Sequence, residues 1–138
     1  MVRAQKVIID TNLWISFLIS KEFSWIDALI KNKKIEIIYS QELFDEIVSV
    51  LQRPKFKKYL DFHKSLALIA LFENYFTLIE VTSEVIICRD KKDNFLLALA
   101  KDSNADYLLT GDTDLLILNP FERTKILTFS EFSLKLSN

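Results

Sequence analysis

The sequence predicts an α/β protein, with a mainly parallel sheet of four to five strands covered on both faces by helices. Three observations carry this. Apolar runs of strand length alternate along the chain with segments of helical periodicity, the pattern of β-α-β units. The first run, Lys6-Val7-Ile8-Ile9-Asp10, is apolar at consecutive positions, so both faces of its strand are buried, as in a parallel sheet. The 138 residues include one glycine and two prolines, which leaves short polar connections and little irregular chain.

The elements follow in order. After the first strand come helical segments around Leu13 to Leu18 and Ser24 to Lys31. Ile35-Glu36-Ile37-Ile38-Tyr39 reads as a second strand. Ser40 is a natural N-cap for a helix of about a dozen residues that must end before Pro54. Its apolar positions Leu43, Phe44, Ile47, Val48 and Leu51 form one stripe. The segment His63 to Phe76 is helical and apolar nearly all round, with Leu66, Ile69 and Phe76 toward one side and Leu68, Leu71 and Tyr75 toward another. That distribution predicts burial on two sides, by the core or by a second copy in a homodimer.

Thr77 to Val81 reads as a third strand, and Asp93 opens a helix containing Phe95, Leu96, Leu99 and Ala100. Asp106-Tyr107-Leu108-Leu109-Thr110 is a fourth strand, stopped by Gly111. Lys125-Ile126-Leu127-Thr128 is a short fifth, and Ser130 caps a last helix carrying Phe132, Leu134 and Leu136.

Half of the residues are hydrophobic, enough for one core, and the length suits one domain spanning residues 1–138. A net charge of −1 and a pI near 5.9 neither advertise nor exclude nucleic-acid binding, because a phosphate backbone needs a local basic patch rather than a basic protein. With Cys88 as the only cysteine, no internal disulfide forms and a Cys-based zinc site is excluded, and the lone His63 adds little toward one. Cys88 reads as a small buried hydrophobe in a reducing compartment. No apolar run spans a membrane and a strand begins almost at once, so the expected location is cytoplasmic.

Parallel sheets bind ligands just beyond the carboxyl ends of their strands. Asp10 ends the first strand, and Asp112 and Asp114 follow the fourth. If those strands are neighbours, the acids share one crevice. Asp93 on its own reads first as an N-cap inside the charge run Arg89-Asp90-Lys91-Lys92-Asp93, and Glu46 as an exposed helix residue beside an apolar stripe. Gathered carboxylates repel one another and raise their own pKa values. A hard divalent cation such as Mg²⁺ or Mn²⁺ offsets that repulsion and can polarise a phosphoryl oxygen. Gly111, between Thr110 and Asp112, suggests a positive φ or a close backbone approach; a plain strand-ending turn is the simpler alternative. No phosphate-cradling G-x-x-x-x-G-K-[ST] pattern is present.

Taken together, these segments resemble the PIN-domain nucleases, in particular the VapC-like toxins of toxin–antitoxin pairs. The resemblance rests on Val7-Ile8-Ile9-Asp10-Thr11-Asn12, the helix around Glu46, Asp93-Asn94-Phe95-Leu96-Leu97-Ala98-Leu99-Ala100, and the run from Ala105 to Leu116 through Thr110-Gly111-Asp112. Ile126 to Phe132 resembles the closing strand and helix. The resemblance implies a three-layer α/β/α sandwich and Mg²⁺- or Mn²⁺-dependent cleavage of RNA. It implies that Asp10, Asp93 and Asp112 hold the metal, that Glu46 and Asp114 complete the acidic set, and that Thr11, Asn12 and Thr110 orient the carboxylates. It also implies an antitoxin as partner. Related sequences often carry proline where this chain has Lys91.

Candidate contacts to RNA phosphates are Arg53, Lys55, Lys57 and Lys58, and Arg89, Lys91 and Lys92, while Lys31, Lys33 and Lys34 read as a solvated face. Phe56 and Tyr59 lie among the first set and could stack on bases or pack in the core. Two other functions fit an acidic α/β domain. One is a phosphohydrolase acting on small substrates, although its D-x-D-x-[TV] pattern would need an acid at Asn12. The other is a binding module without catalysis.

Overall fold

The computed structural model describes residues 3–20, 28–58 and 62–137. Of the helix expected from Ser24 to Lys31, residues 28–31 are helical, and residues 24–27, like Tyr59, lie outside the described residues. The strands are β1 (Gln5–Ile9), β2 (Ile35–Tyr39), β3 (Thr77–Leu78), β4 (Tyr107–Leu109) and β5 (Lys125–Leu127). The helices are α1 (Thr11–Ile19), α2 (Gln41–Leu51), α3 (Pro54–Lys57), α4 (Phe62–Asn74), α5 (Lys91–Ser103), α6 (Thr113–Leu116) and α7 (Phe129–Ser137).

The five strands form one sheet in the order β3-β2-β1-β4-β5, and every pairing between them is parallel. Val7, Ile8 and Ile9 are all at 0% exposure. Consecutive strand residues face opposite sides of a sheet, so β1 is covered on both, as its unbroken apolar run predicts. The fold is the expected three-layer α/β/α sandwich. From β1 the chain moves outward to β2 and β3, then returns through α5 to β4 on the other side of β1. The direction of winding therefore reverses between β1 and β4, and a crevice opens beyond their carboxyl ends.

Aromatic rings tie the helices to the sheet. Trp14 of α1 lies 5.4 Å from Phe72 of α4 and 5.5 Å from Phe76. Tyr39 of β2 meets Phe72 edge-on at 4.8 Å. Leu68 and Phe72 are the buried face of α4, while Leu66 and Tyr75 are 47% and 70% exposed. Only one side of α4 therefore faces the core, not the two that its composition suggested. The positions four apart, Leu68 and Phe72, define that side, and Phe72, not singled out from the sequence, meets the rings of Trp14, Tyr39, Phe44 and Phe76.

Several ends differ from expectation for physical reasons. β3 stops at Leu78 rather than Val81, because β2 ends at Tyr39 and Ser40 turns the chain into α2, leaving no backbone to pair with; one further bond, Ile79 N–H to the Tyr39 carbonyl, closes the ladder at 2.9 Å. Ser40 caps α2 as expected, its Oγ accepting from Leu43 N–H at 3.2 Å. The buried face of α2 is Leu43, Ile47 and Val50, with Phe44 and Leu51 packed beside it. α7 is capped by Thr128 rather than Ser130. Thr128 Oγ1 accepts from Glu131 N–H at 3.2 Å while Glu131 Oε1 accepts from Thr128 N–H at 3.0 Å, a reciprocal capping box.

Candidate active site

The site is assembled where helices begin. Asp10 follows β1 and caps α1, its Oδ1 accepting from Leu13 N–H at 2.8 Å. Its other oxygen, Oδ2, accepts from the Thr110 hydroxyl at the end of β4. Thr110 is fully buried, and its Oγ1 in turn accepts from Asp112 N–H at 3.0 Å. One threonine thus links the acid after β1 to the acid after β4. Asp112 caps the single turn of α6, taking Asp114 N–H at 2.9 Å.

α5 does not begin at Asp93. Asp90 is its N-cap, accepting from Lys92 N–H at 2.9 Å, and Asp93 stands inside the first turn, 9% exposed. The spacing Asp90-x-x-Asp93, a capping residue followed three positions on by an acid, was the available signal; reading the segment as a solvated charge run obscured it. Asn94 secures the approach to this turn. Its Oδ1 accepts from Ile87 N–H at 3.0 Å and Cys88 N–H at 2.8 Å, and its Nδ2 donates to the Cys88 carbonyl at 3.0 Å. Asp10, Asp90 and Asp112 therefore occupy three helix N-termini, where peptide dipoles favour negative charge.

These residues line one open, mainly polar concavity of about 170 Å³, together with Thr11, Asn12, Glu46, Val50, Arg53, Lys92 and Leu96. Of the five acids anticipated, Asp10, Glu46, Asp93 and Asp112 line it. Asp114 is exposed and stands outside the lining. Asp90 lines it and was not anticipated. Glu46, from the edge of the α2 stripe, reaches the concavity and meets Lys92 Nζ at 3.7 Å. Gly111 has neither a positive φ nor a neighbour within 4 Å of where a Cβ would stand, so the plain turn is the correct one of its two readings.

Electrostatics mark the same place. Burial pushes the Asp10 carboxyl above its usual value, against the lowering effect of its Thr110 and Leu13 donors, and Asp112 and Glu46 add repulsion. Asp93 is raised to about 6, first by burial, then by the neighbouring Asp112 carboxylate, and then by Asp90 and Asp10. The nearby Cys88 thiol is also raised, chiefly by burial and then by Asp93 and Asp112. Carboxyls brought this close are short of positive charge.

Among the described residues, no three acidic, thiol or imidazole groups already stand close enough to enclose an ion. Caps and repulsion account for this: Asp10 is turned to Leu13 and Thr110, Asp112 to Asp114, and Glu46 to Lys92. The donor chemistry nonetheless fits a hard divalent cation. The groups are carboxylate oxygens, and the capping acids Asp10, Asp90 and Asp112 keep free lone pairs beside their capping bonds. Thr11 Oγ1, buried at the same rim, has no hydrogen-bond partner among the described residues. Asp10, Asp93 and Asp112 are the side chains that could hold such an ion.

Residues 6–114 match the model of the PIN domain family. The chain belongs to that family. Its members are generally nucleases that use divalent metal ions. A relative, MJ1680 of Methanocaldococcus jannaschii, is 33% identical over 133 residues, covering 94% of this chain and 84% of that protein. Among solved structures, PAE2754 from Pyrobaculum aerophilum superposes with a TM-score of 0.63 at 15% identity, over 97% of this chain and 91% of that one. VapBC2 from Rickettsia felis, solved bound to a DNA fragment from their promoter, gives 0.57 at 15% identity, over 88% and 97%. These likenesses bear out the PIN-like fold expected from the motifs. Among the described residues no helix is long and apolar enough to cross a membrane.

Proposed function

We propose that this PIN domain is a metal-dependent endoribonuclease and the toxin of a toxin–antitoxin pair, with the 138 residues acting as one domain. The observation that carries the reading is the gathering of Asp10, Glu46, Asp93 and Asp112 around one open concavity at the switch point of a parallel sheet. In this reading Asp10, Asp93 and Asp112 hold Mg²⁺ or Mn²⁺, which when bound supplies Lewis-acid polarisation of the scissile phosphate and a more acidic water. Thr110 keeps the Asp10 carboxylate oriented by donating to Oδ2, and Asn12 and Thr11 close the rim beside it. In the same reading Glu46, from the same lining, accepts a proton from attacking water, and Asp114 assists from outside it. The openness of the concavity suits a polymer strand passing across it.

The antitoxin partner is supported by the likeness to VapBC2 in fold. Homodimerisation through the outer side of α4 belongs to the same proposal, since Leu66 and Tyr75 are exposed there. Sedimentation that finds only monomer at high concentration removes that part. Incubation of the purified chain with single-stranded RNA and Mn²⁺ or Mg²⁺ tests the activity. Metal-dependent internal cuts that vanish in Asp10→Asn and Asp93→Asn support it; cleavage that survives both substitutions defeats the mechanism.

A further inference from the structure

The sequence offers seven cations near the acidic helices, and the structure brings two of them into the lining of the concavity, Arg53 and Lys92. Lys92 stands in the first turn of α5, where the peptide dipole disfavours a positive charge. Its Nζ reaches across to Glu46 at 3.7 Å, with 54% of the lysine side chain exposed. A pair this long and this wet is weak, so Lys92 is held there loosely. Arg53, at the joint between α2 and α3, is exposed and lines the same concavity. Five carboxylates line the same space. A phosphate backbone approaching them meets repulsion unless cations at the rim receive it.

We propose that Lys92 is an exchangeable cation: it pairs with Glu46 in the free protein and transfers to a backbone phosphate beside the scissile bond when the strand binds, with Arg53 holding a neighbouring phosphate. The transfer frees the Glu46 carboxylate at the moment the substrate arrives. This rests on the nuclease reading above, and it assigns the two side chains that take the polyanion rather than the acids that cut it. Lys92 has the reach and exposure for the exchange; Arg53 offers the planar fork that suits phosphate oxygens.

The test is fluorescence anisotropy of a labelled 20-nucleotide single-stranded RNA of mixed sequence, titrated with the full chain in Ca²⁺ at several salt concentrations, paired with cleavage in Mn²⁺. Lys92→Gln and Arg53→Gln should each weaken binding about three- to tenfold and flatten the salt slope by about 0.7. Lys92→Arg should keep most of the affinity. Glu46→Gln releases Lys92, so it should tighten binding about twofold while cleavage falls, and in a Lys92→Gln background it should tighten no further. Wild-type binding and cleavage with an unchanged affinity and slope in Lys92→Gln overturn the exchange and leave the nuclease reading intact. A wild-type chain that neither binds nor cuts the RNA overturns both. Circular dichroism spectra confirm that each variant is folded.

Discussion

Asp106 precedes β4 and Asp112 follows it, so two aspartates bracket one short strand, yet their surroundings differ in kind. Arg3 grips Asp106 with two hydrogen bonds, at 2.9 and 3.1 Å, and Lys6 N–H adds a third at 2.8 Å. Burial pushes Asp106 up, but these partners outweigh it and hold its carboxyl below the usual value. At the other end Asp10, Asp93 and Asp112 face one another, and Asp10 and Asp93 are raised. At the amino ends of the strands the acid has been given its cation. At the carboxyl ends Lys92 meets only Glu46, and among the described residues Asp10, Asp93 and Asp112 have no cation of their own. On the proposed reading, the contrast separates a carboxylate that holds the fold from carboxylates that take a ligand.

The largest expected effect tests the deficit directly. Asp93→Asn should cut metal-dependent RNA cleavage by at least about 100-fold, the loss of roughly 3 kcal/mol of transition-state stabilisation, without lowering the metal-free melting temperature. Next, saturating Mn²⁺ should stabilise the wild type by about 3 kcal/mol when the ion is at a hundred times its dissociation constant. Calorimetry with and without chelator checks this, and Asp93→Asn should lose most of the gain.

The two ends should also titrate with opposite sign. Because Asp93 in the folded state is raised from 3.8 to about 6, the folded protein holds that proton longer than the unfolded chain. Metal-free stability should therefore fall as pH rises from about 4 to about 6, by on the order of 2 kcal/mol. Asp106, lowered in the fold, acts the other way: its contribution is present above the ordinary carboxylate pKa and is lost as pH falls through its folded value. Urea unfolding across this range, in wild type and Asp93→Asn, separates the two. The smallest effect is Asp106→Asn, which should cost about 1 kcal/mol and leave cleavage unchanged; a drop in activity there would blur the comparison.

How much of this was readable beforehand follows from burial. Val7 to Ile9 and Leu108 to Leu109 are enclosed on both faces, so their apolar runs announce strands without ambiguity. Ser40 announces α2 because a cap is local chemistry. The exposed side of α4 was not readable, since Leu66 and Tyr75 look like core residues in a string of letters. At the site, strand logic pointed to Asp10, Asp112 and Asp114, of which Asp114 stands outside the lining, whereas Asp93 and Glu46 stood out only through resemblance. Asp90 was hidden because it sits among four charged neighbours. The Lys92–Glu46 contact joins residues from α2 and α5, and periodicity carries no information about such a pair.

The double duty of Asp10 bears on how an inactive form of this protein should be made. One of its oxygens starts α1, a helix whose Trp14 and Phe17 are wholly enclosed. Alanine at this position would remove the charge and the cap together, at about 1 kcal/mol for the cap alone, and a dead enzyme would be indistinguishable from a loosened one. Asparagine keeps an acceptor for Leu13 N–H. For this chain the isosteric amide is the clean way to silence the chemistry while leaving the scaffold intact for partner binding and crystallisation.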